Sequence, residues 1–173
     1  MKTNSHKLYS SLFLLAFFAF TQVQSVFAQD ASQQSSLSHL LPSYYGIKDA
    51  LVNSDANAAA SKAAEFAKTI KAVDMKALSK TDMTVFMSLQ DKLAEDATQI
   101  AGKKDVKYQR EHFAALSTNL FTLAKGVKLS SEPLYYDYCP MKKAYWLSGD
   151  AAIKNPYFGS AMLTCGKVTE TLK

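Results

Sequence analysis

Asp105-Val106-Lys107-Tyr108-Gln109-Arg110-Glu111-His112-Phe113-Ala114-Ala115-Leu116-Ser117-Thr118-Asn119-Leu120-Phe121-Thr122-Leu123 decides how this chain must fold. The stretch holds no proline and no glycine. Val106, Phe113, Leu116, Leu120 and Leu123, with Val127 beyond, fall on one face of a helix of 3.6 residues per turn. Arg110 and Ser117 lie on or beside that stripe. Asp105 can accept from the free amides of the first turn. Gly126 and the Ser130-Ser131-Glu132-Pro133 run close the helix.

The same period continues towards the N-terminus. Phe86, Leu89, Leu93, Ala97 and Ile100, with Met83 and Met87 alongside, predict a third helix that opens at Thr81 or Asp82 and ends at Gly102. An alanine-rich second helix is expected from a cap at Asp55 to about Val73, with Ala59, Ala63, Phe66 and Ile70 on its stripe. Leu40, Tyr44, Ile47 and Leu51 define a first helix, and Pro42 is compatible with it only in the first turn. Four amphipathic helices with short joints predict an all-α domain, an antiparallel up-down four-helix bundle. No internal sequence repeat is present.

The first 28 residues read differently. Lys2 and Lys7 precede an apolar run from Leu8 to Phe20, and Val26-Phe27-Ala28 supplies small residues for cleavage. This is the pattern of a secretory signal peptide, cleaved before Gln29. The run is too short for a membrane span, which needs about 20 apolar residues. Gln29 to Ser36 is polar and is expected to form a disordered leader. The domain is then residues 37–173. Cleavage leaves 145 of the 173 residues and lowers the net charge from +5 to +3. The lysines are scattered, and no dense basic stripe of the nucleic-acid-binding kind appears.

Beyond the fourth helix the texture changes. Tyr135 to Tyr138 favours a strand, and Asn155-Pro156 and Gly159 mark turns. Residues 134–166 are expected to form a cap of short strands and turns on the bundle, with one short helix around Ser160 or after Gly166. This cap holds both cysteines of the chain and its only tryptophan.

Any chemistry is expected in the cap. Cys139 and Met141 form one sulfur pair, Met162 and Cys165 another. A hairpin around Trp146 to Asn155 would bring them together. Thiolates and thioethers are soft ligands of the kind that select Cu(I). An exported chain with two cysteines also suits a Cys139–Cys165 disulfide, which would stabilise by about 3–4 kcal/mol. Methionines are also common core filler, so both readings stand on residues alone. There is no Cys-x-x-Cys, no Gly-rich phosphate loop and no Gly-x-Ser-x-Gly, so an enzyme is not expected. Of the histidines beyond the signal, His39 reads as surface and His112 as a weak candidate ligand.

Several motifs together carry a resemblance. They are Tyr136-x-Tyr138-Cys139-Pro140-Met141, Trp146-Leu147-Ser148, Ile153-x-Asn155-Pro156-Tyr157-Phe158-Gly159 and Met162-Leu163-x-Cys165-Gly166. Gln109-Arg110-x-x-Phe113-x-x-Leu116-Ser117 and Tyr44 with Lys48-Asp49-Ala50-Leu51 add to it. The chain resembles the bacterial family of domains of unknown function numbered 3347. That family resembles periplasmic proteins of Bacteroidetes-type bacteria, and its domain is also found fused to adaptors of copper and silver efflux pumps. Many members carry a longer Asn/Gly-rich loop where this chain has only Lys142 to Tyr145. The resemblance implies metal handling, and with the sulfur cluster it gives a periplasmic protein that binds Cu(I) or a similar soft metal through Cys139, Met141, Met162 and Cys165. It implies a heavy-metal efflux adaptor or another periplasmic protein as partner. A disulfide-stapled interaction module is the alternative.

Overall fold

The computed structural model describes residues 37–173. The expected signal peptide (1–28) and leader (29–36) lie outside the described residues. Four α-helices come first: α1 (Leu40–Val52), α2 (Ala56–Lys71), α3 (Lys80–Gly102) and α4 (Val106–Gly126), with a single 3-10 turn at Met75–Ala77. Their starts follow the chemistry of free amides. Asp55 accepts from the N–H groups of Asn57 and Ala58, and Asp105 from that of Tyr108. The cap of α3 is Ser79, which accepts from Asp82 N–H at 3.0 Å, and not Thr81 or Asp82. Asp82 instead sits in the first turn, where its charge faces the helix N-terminus. Pro42 lies in the first turn of α1, as the missing amide requires.

Each helix packs on the next, and α1 and α2 also touch α4. Tyr44, Ile47, Leu51, Ala63, Phe66, Phe86, Leu93, Phe113, Leu116 and Leu120 are fully buried. These are the residues of the 3.6-period stripes.

The chain is mainly helical but not all-α. After α4, β1 (Leu134–Cys139), β2 (Ala144–Ser148) and β3 (Lys167–Leu172) form one antiparallel sheet in the order β2-β1-β3. The strand expected at Tyr135 to Tyr138 is β1. The segment after Gly166, expected as turn or helix, is β3. A short 3-10 helix occupies Gly159–Met162, where a helix around Ser160 was expected. The hairpin is also elsewhere than expected. Pro140 to Lys143 joins β1 to β2, and Lys143 turns the chain with φ +56 while its N–H returns to Cys139 O at 2.8 Å. Trp146 sits inside β2, paired with Asp137.

Aromatic side chains dock the sheet on the helices. Phe121 of α4 stacks on Tyr136 of β1 with ring centroids 3.6 Å apart. Tyr44 of α1 stacks on Phe113 of α4 at 5.1 Å. Its hydroxyl lies 2.7 Å from Ser117 Oγ and accepts from Leu147 N–H of β2 at 3.0 Å.

Candidate functional site

The sheet register explains how two distant cysteines meet. Cys139 ends β1, and Tyr138 pairs with Lys167 in β3. Cys165, two residues before Lys167, therefore arrives beside the end of β1. Both cysteines are free thiols, Cys139 buried and Cys165 partly exposed. The two thiols lie close enough to act on each other electrostatically. Desolvation first, then the charge and hydrogen bond of Cys139, push the Cys165 thiol up from its ordinary pKa. The N–H of Lys142 in the hairpin turn donates to Cys139 Sγ at 3.4 Å, a geometry suited to a thiolate.

A buried asparagine holds the segment that returns Cys165. Asn155 is completely inaccessible. Its Nδ2 donates to Cys165 O at 2.6 Å, and its Oδ1 accepts from Tyr157 N–H at 2.8 Å and Phe158 N–H at 3.3 Å. Its own N–H donates to Leu163 O at 2.8 Å. The start of this segment is tied to the helices by Arg110. That guanidinium donates to Pro156 O, to Leu51 O and to Ser54 Oγ, at 2.7, 2.9 and 3.0 Å. Gly159 makes the turn with φ +56. A Cβ there would lie 2.6 Å from Val52 O, so the position suits only glycine.

Trp146 is completely buried, with the Tyr157 ring edge-on at 6.0 Å. The Tyr157 hydroxyl donates to Tyr145 O. A Cβ on Gly166 would come within 2.7 Å of the Trp146 ring. The indole thus underlies the residue that follows Cys165.

The methionines stand outside this packing. Met141 is 64 % exposed, and Met162 is exposed as well. The carbonyl of Met162 accepts from Cys165 N–H at 3.1 Å. Neither side chain is core filler. His112 lies elsewhere, on α4, with Nδ1 3.9 Å from Asp96 Oδ1 of α3 and its ring against Tyr108. His39 is exposed at the start of α1. Among the described residues, no three His, Cys, Asp or Glu side chains converge as a metal site. A donor set at this place consists of two thiols, with thioethers as further candidates.

Sequence reasoning missed two buried polar residues. Asn155 read only as a turn mark. Asp137 was passed over within the strand expected at Tyr135 to Tyr138. Strand alternation places it on the face of Cys139 and Trp146. It is completely buried, and neither carboxylate oxygen has a hydrogen-bond partner. Burial raises its pKa to about 6, with the nearby Lys48 acting to lower it. Lys48 is itself buried, with Nζ 3.2 Å from Asp49 Oδ1.

A protein-family model, described as Protein of unknown function (DUF3347), matches residues 40–132. Those residues span α1 to α4 and stop before β1. No curated protein and no solved structure matches the chain.

Proposed function

The chain belongs to the family described as protein of unknown function DUF3347, and from that premise we propose that it is an exported, periplasmic protein that binds Cu(I) or a similar soft ion. The observation that carries this reading is the meeting of two free thiols from residues far apart in sequence. Two thiolates neutralise a monovalent soft ion and match its polarisability. Met141 and Met162 lie two and three residues from the cysteines in the chain, stand exposed, and offer thioethers that need no deprotonation. The Lys142 amide at Cys139 Sγ supports negative charge on that sulfur. The function is binding and not catalysis. Residues 1–28 serve as the export signal, and the helices are read as an antiparallel up-down bundle that carries the site. An efflux adaptor or another periplasmic protein is the partner this reading calls for.

The same juxtaposition favours a second reading, in which oxidation joins Cys139 to Cys165 and the protein is a stapled interaction module. Intact mass with thiol counting on protein taken from the periplasm separates the two, since a bridged pair is lighter by two hydrogens. Competition against a Cu(I) chelator under reducing conditions tests the metal directly. Native protein should hold one Cu(I), and Cys165→Ser should lose it. The Met141→Leu/Met162→Leu variant should bind more weakly. Failure of the native protein against a weak chelator ends the metal reading. Because both thiols must lose protons, and Cys165 holds its proton tightly, binding should strengthen as pH rises.

A further inference from the structure

Exposed apolar side chains are concentrated near the thiols. Five large apolar side chains are exposed there and elsewhere in the domain, and only Met87 lies on a helix far along the chain from the cysteines. The other four are Met141, Met162, Leu163 and Val168. Backbone pairing gathers them at one end of the sheet. Met141 is in the turn that follows Cys139, and Val168 pairs with Asp137 of β1. Leu163 O accepts from Asn155 N–H, and Met162 O from Cys165 N–H. Exposed apolar side chains gathered beside a pair of thiols fit a contact surface.

Its fringe is basic. Lys143 closes the hairpin turn, Lys167 opens β3 opposite Tyr138, and Lys154 precedes Asn155. All three are exposed. Between Tyr138 and Thr169 the chain holds four lysines and a single acid, Asp150. Asp150 follows the far end of β2, where Ser148 pairs with Tyr135, and so lies away from the thiols. Glu170, the next acid, is engaged by Lys125 at 3.1 Å.

We propose that this face docks an acidic protein segment that hands a soft metal ion to Cys139 and Cys165. The inference rests on the metal reading above and names the partner's chemistry. The lysine fringe draws in the acidic segment, and the apolar centre excludes water while donors exchange. A second copy of this chain does not fit, because it would set lysines against lysines. In the exchange Cu(I) keeps its oxidation state. Bonds to the partner's donor atoms break, bonds to two thiolates form, and each thiol gives its proton to solvent.

The test uses a synthetic peptide with two methionines flanked by aspartates, and a twin with lysines in place of the aspartates. Transfer of Cu(I) from each to the reduced protein is followed by stopped flow at low and physiological ionic strength. The acidic peptide should deliver about tenfold faster at low salt, with the advantage shrinking as salt rises. The K143E/K154E/K167E variant, altered only at exposed positions, should reverse the preference, and its equilibrium Cu(I) affinity is measured alongside so that rates are compared at equal occupancy. Equal rates for the two peptides, or an unchanged preference in the variant, would overturn the proposal. Binding of the metal-free peptides, read by fluorescence anisotropy, tests the surface separately. A charge preference there supports the docking face even if the protein fails to hold Cu(I), which would sink only the metal reading. Binding to phosphatidylglycerol vesicles with no preference for the acidic peptide would assign the face to a membrane and overturn the proposal too.

Discussion

The side-chain amide of Asn155 donates to the carbonyl oxygen of Cys165 at 2.6 Å. This bond fixes the backbone of the second thiol to a residue ten positions earlier, inside a segment that Arg110 ties to the helices. The placement of Cys165 is therefore built from the helical half of the molecule outward. It does not depend on any bond between the two sulfurs.

Asn155→Ala should expose the consequence. Three backbone groups would lose a buried partner, and each orphaned group costs about 1–3 kcal/mol before relaxation. Urea unfolding should register a loss of about 2–4 kcal/mol. Asn155→Asp is the sharper variant, because it keeps the acceptor for Tyr157 and Phe158 but sets a carboxylate oxygen against Cys165 O. Reduced protein carrying it should alkylate faster at Cys165. An unchanged alkylation rate would mean that Asn155 does not position the thiol.

Tyr44 joins helix to sheet through one hydroxyl. In Tyr44→Phe the ring stays stacked on Phe113, and Ser117 keeps its bond to Phe113 O. Leu147 N–H loses its partner in a fully buried place. The expected cost is about 1–3 kcal/mol. Amide exchange at Leu147 should quicken more than at the α3 and α4 amides. Uniform quickening throughout would indicate global loosening instead.

Gly159→Ala should be costly for a local reason. The backbone at φ +56 disfavours a side chain, and the added methyl would meet Val52 O at 2.6 Å, with Ser54 Oγ and the Arg110 guanidinium close behind. Strain at such a position costs about 1–3 kcal/mol before the clash is counted. A thermal midpoint within a degree or two of native would show that the 155–159 turn can shift freely.

How much was legible in the sequence follows from what each element depends on. The helices were readable because their stripes are local. Phe113, Leu116 and Leu120 announce a buried face whatever surrounds them. Caps were readable where the acid stands just ahead of an apolar run, as at Asp55 and Asp105, and misread at Ser79 because Thr81 and Asp82 offer the same chemistry two residues on. Strand β3 was missed although Val168, Thr169 and Thr171 are β-branched, since nearly all of it is exposed and no alternation marks a core face. Its partner β1 lies 29 to 38 residues earlier, pair by pair, and that pairing is what brings Cys165 to Cys139. The approach of Cys165 to Cys139 was expected, but through a hairpin at the wrong place. Asn155 was invisible as a brace because its bonds go to backbone atoms, which leave no mark in the residue types.

Asp137 gives the last prediction, and its sign follows from its surroundings. The folded-state pKa stands at about 6, against 3.8 for a free side chain. The cause is burial with both oxygens unpartnered, offset in part by Lys48. A raised acid pKa means that the folded chain binds this proton more tightly than the unfolded chain does. The stabilisation is complete below the unfolded value near 4, drains away as pH rises through about 6, and is absent above that. The shift corresponds to roughly 3 kcal/mol between the two ends of that window. Asp137→Asn keeps the shape and removes the titration. Its stability should vary less than native between pH 4 and pH 7, and it should exceed native at pH 8. Lys48→Met removes the one cation that eases the carboxylate, so native-like stability at pH 5 should fall away more steeply towards pH 8. Parallel pH profiles for the native chain and Asp137→Asn would show that the carboxylate is solvated after all.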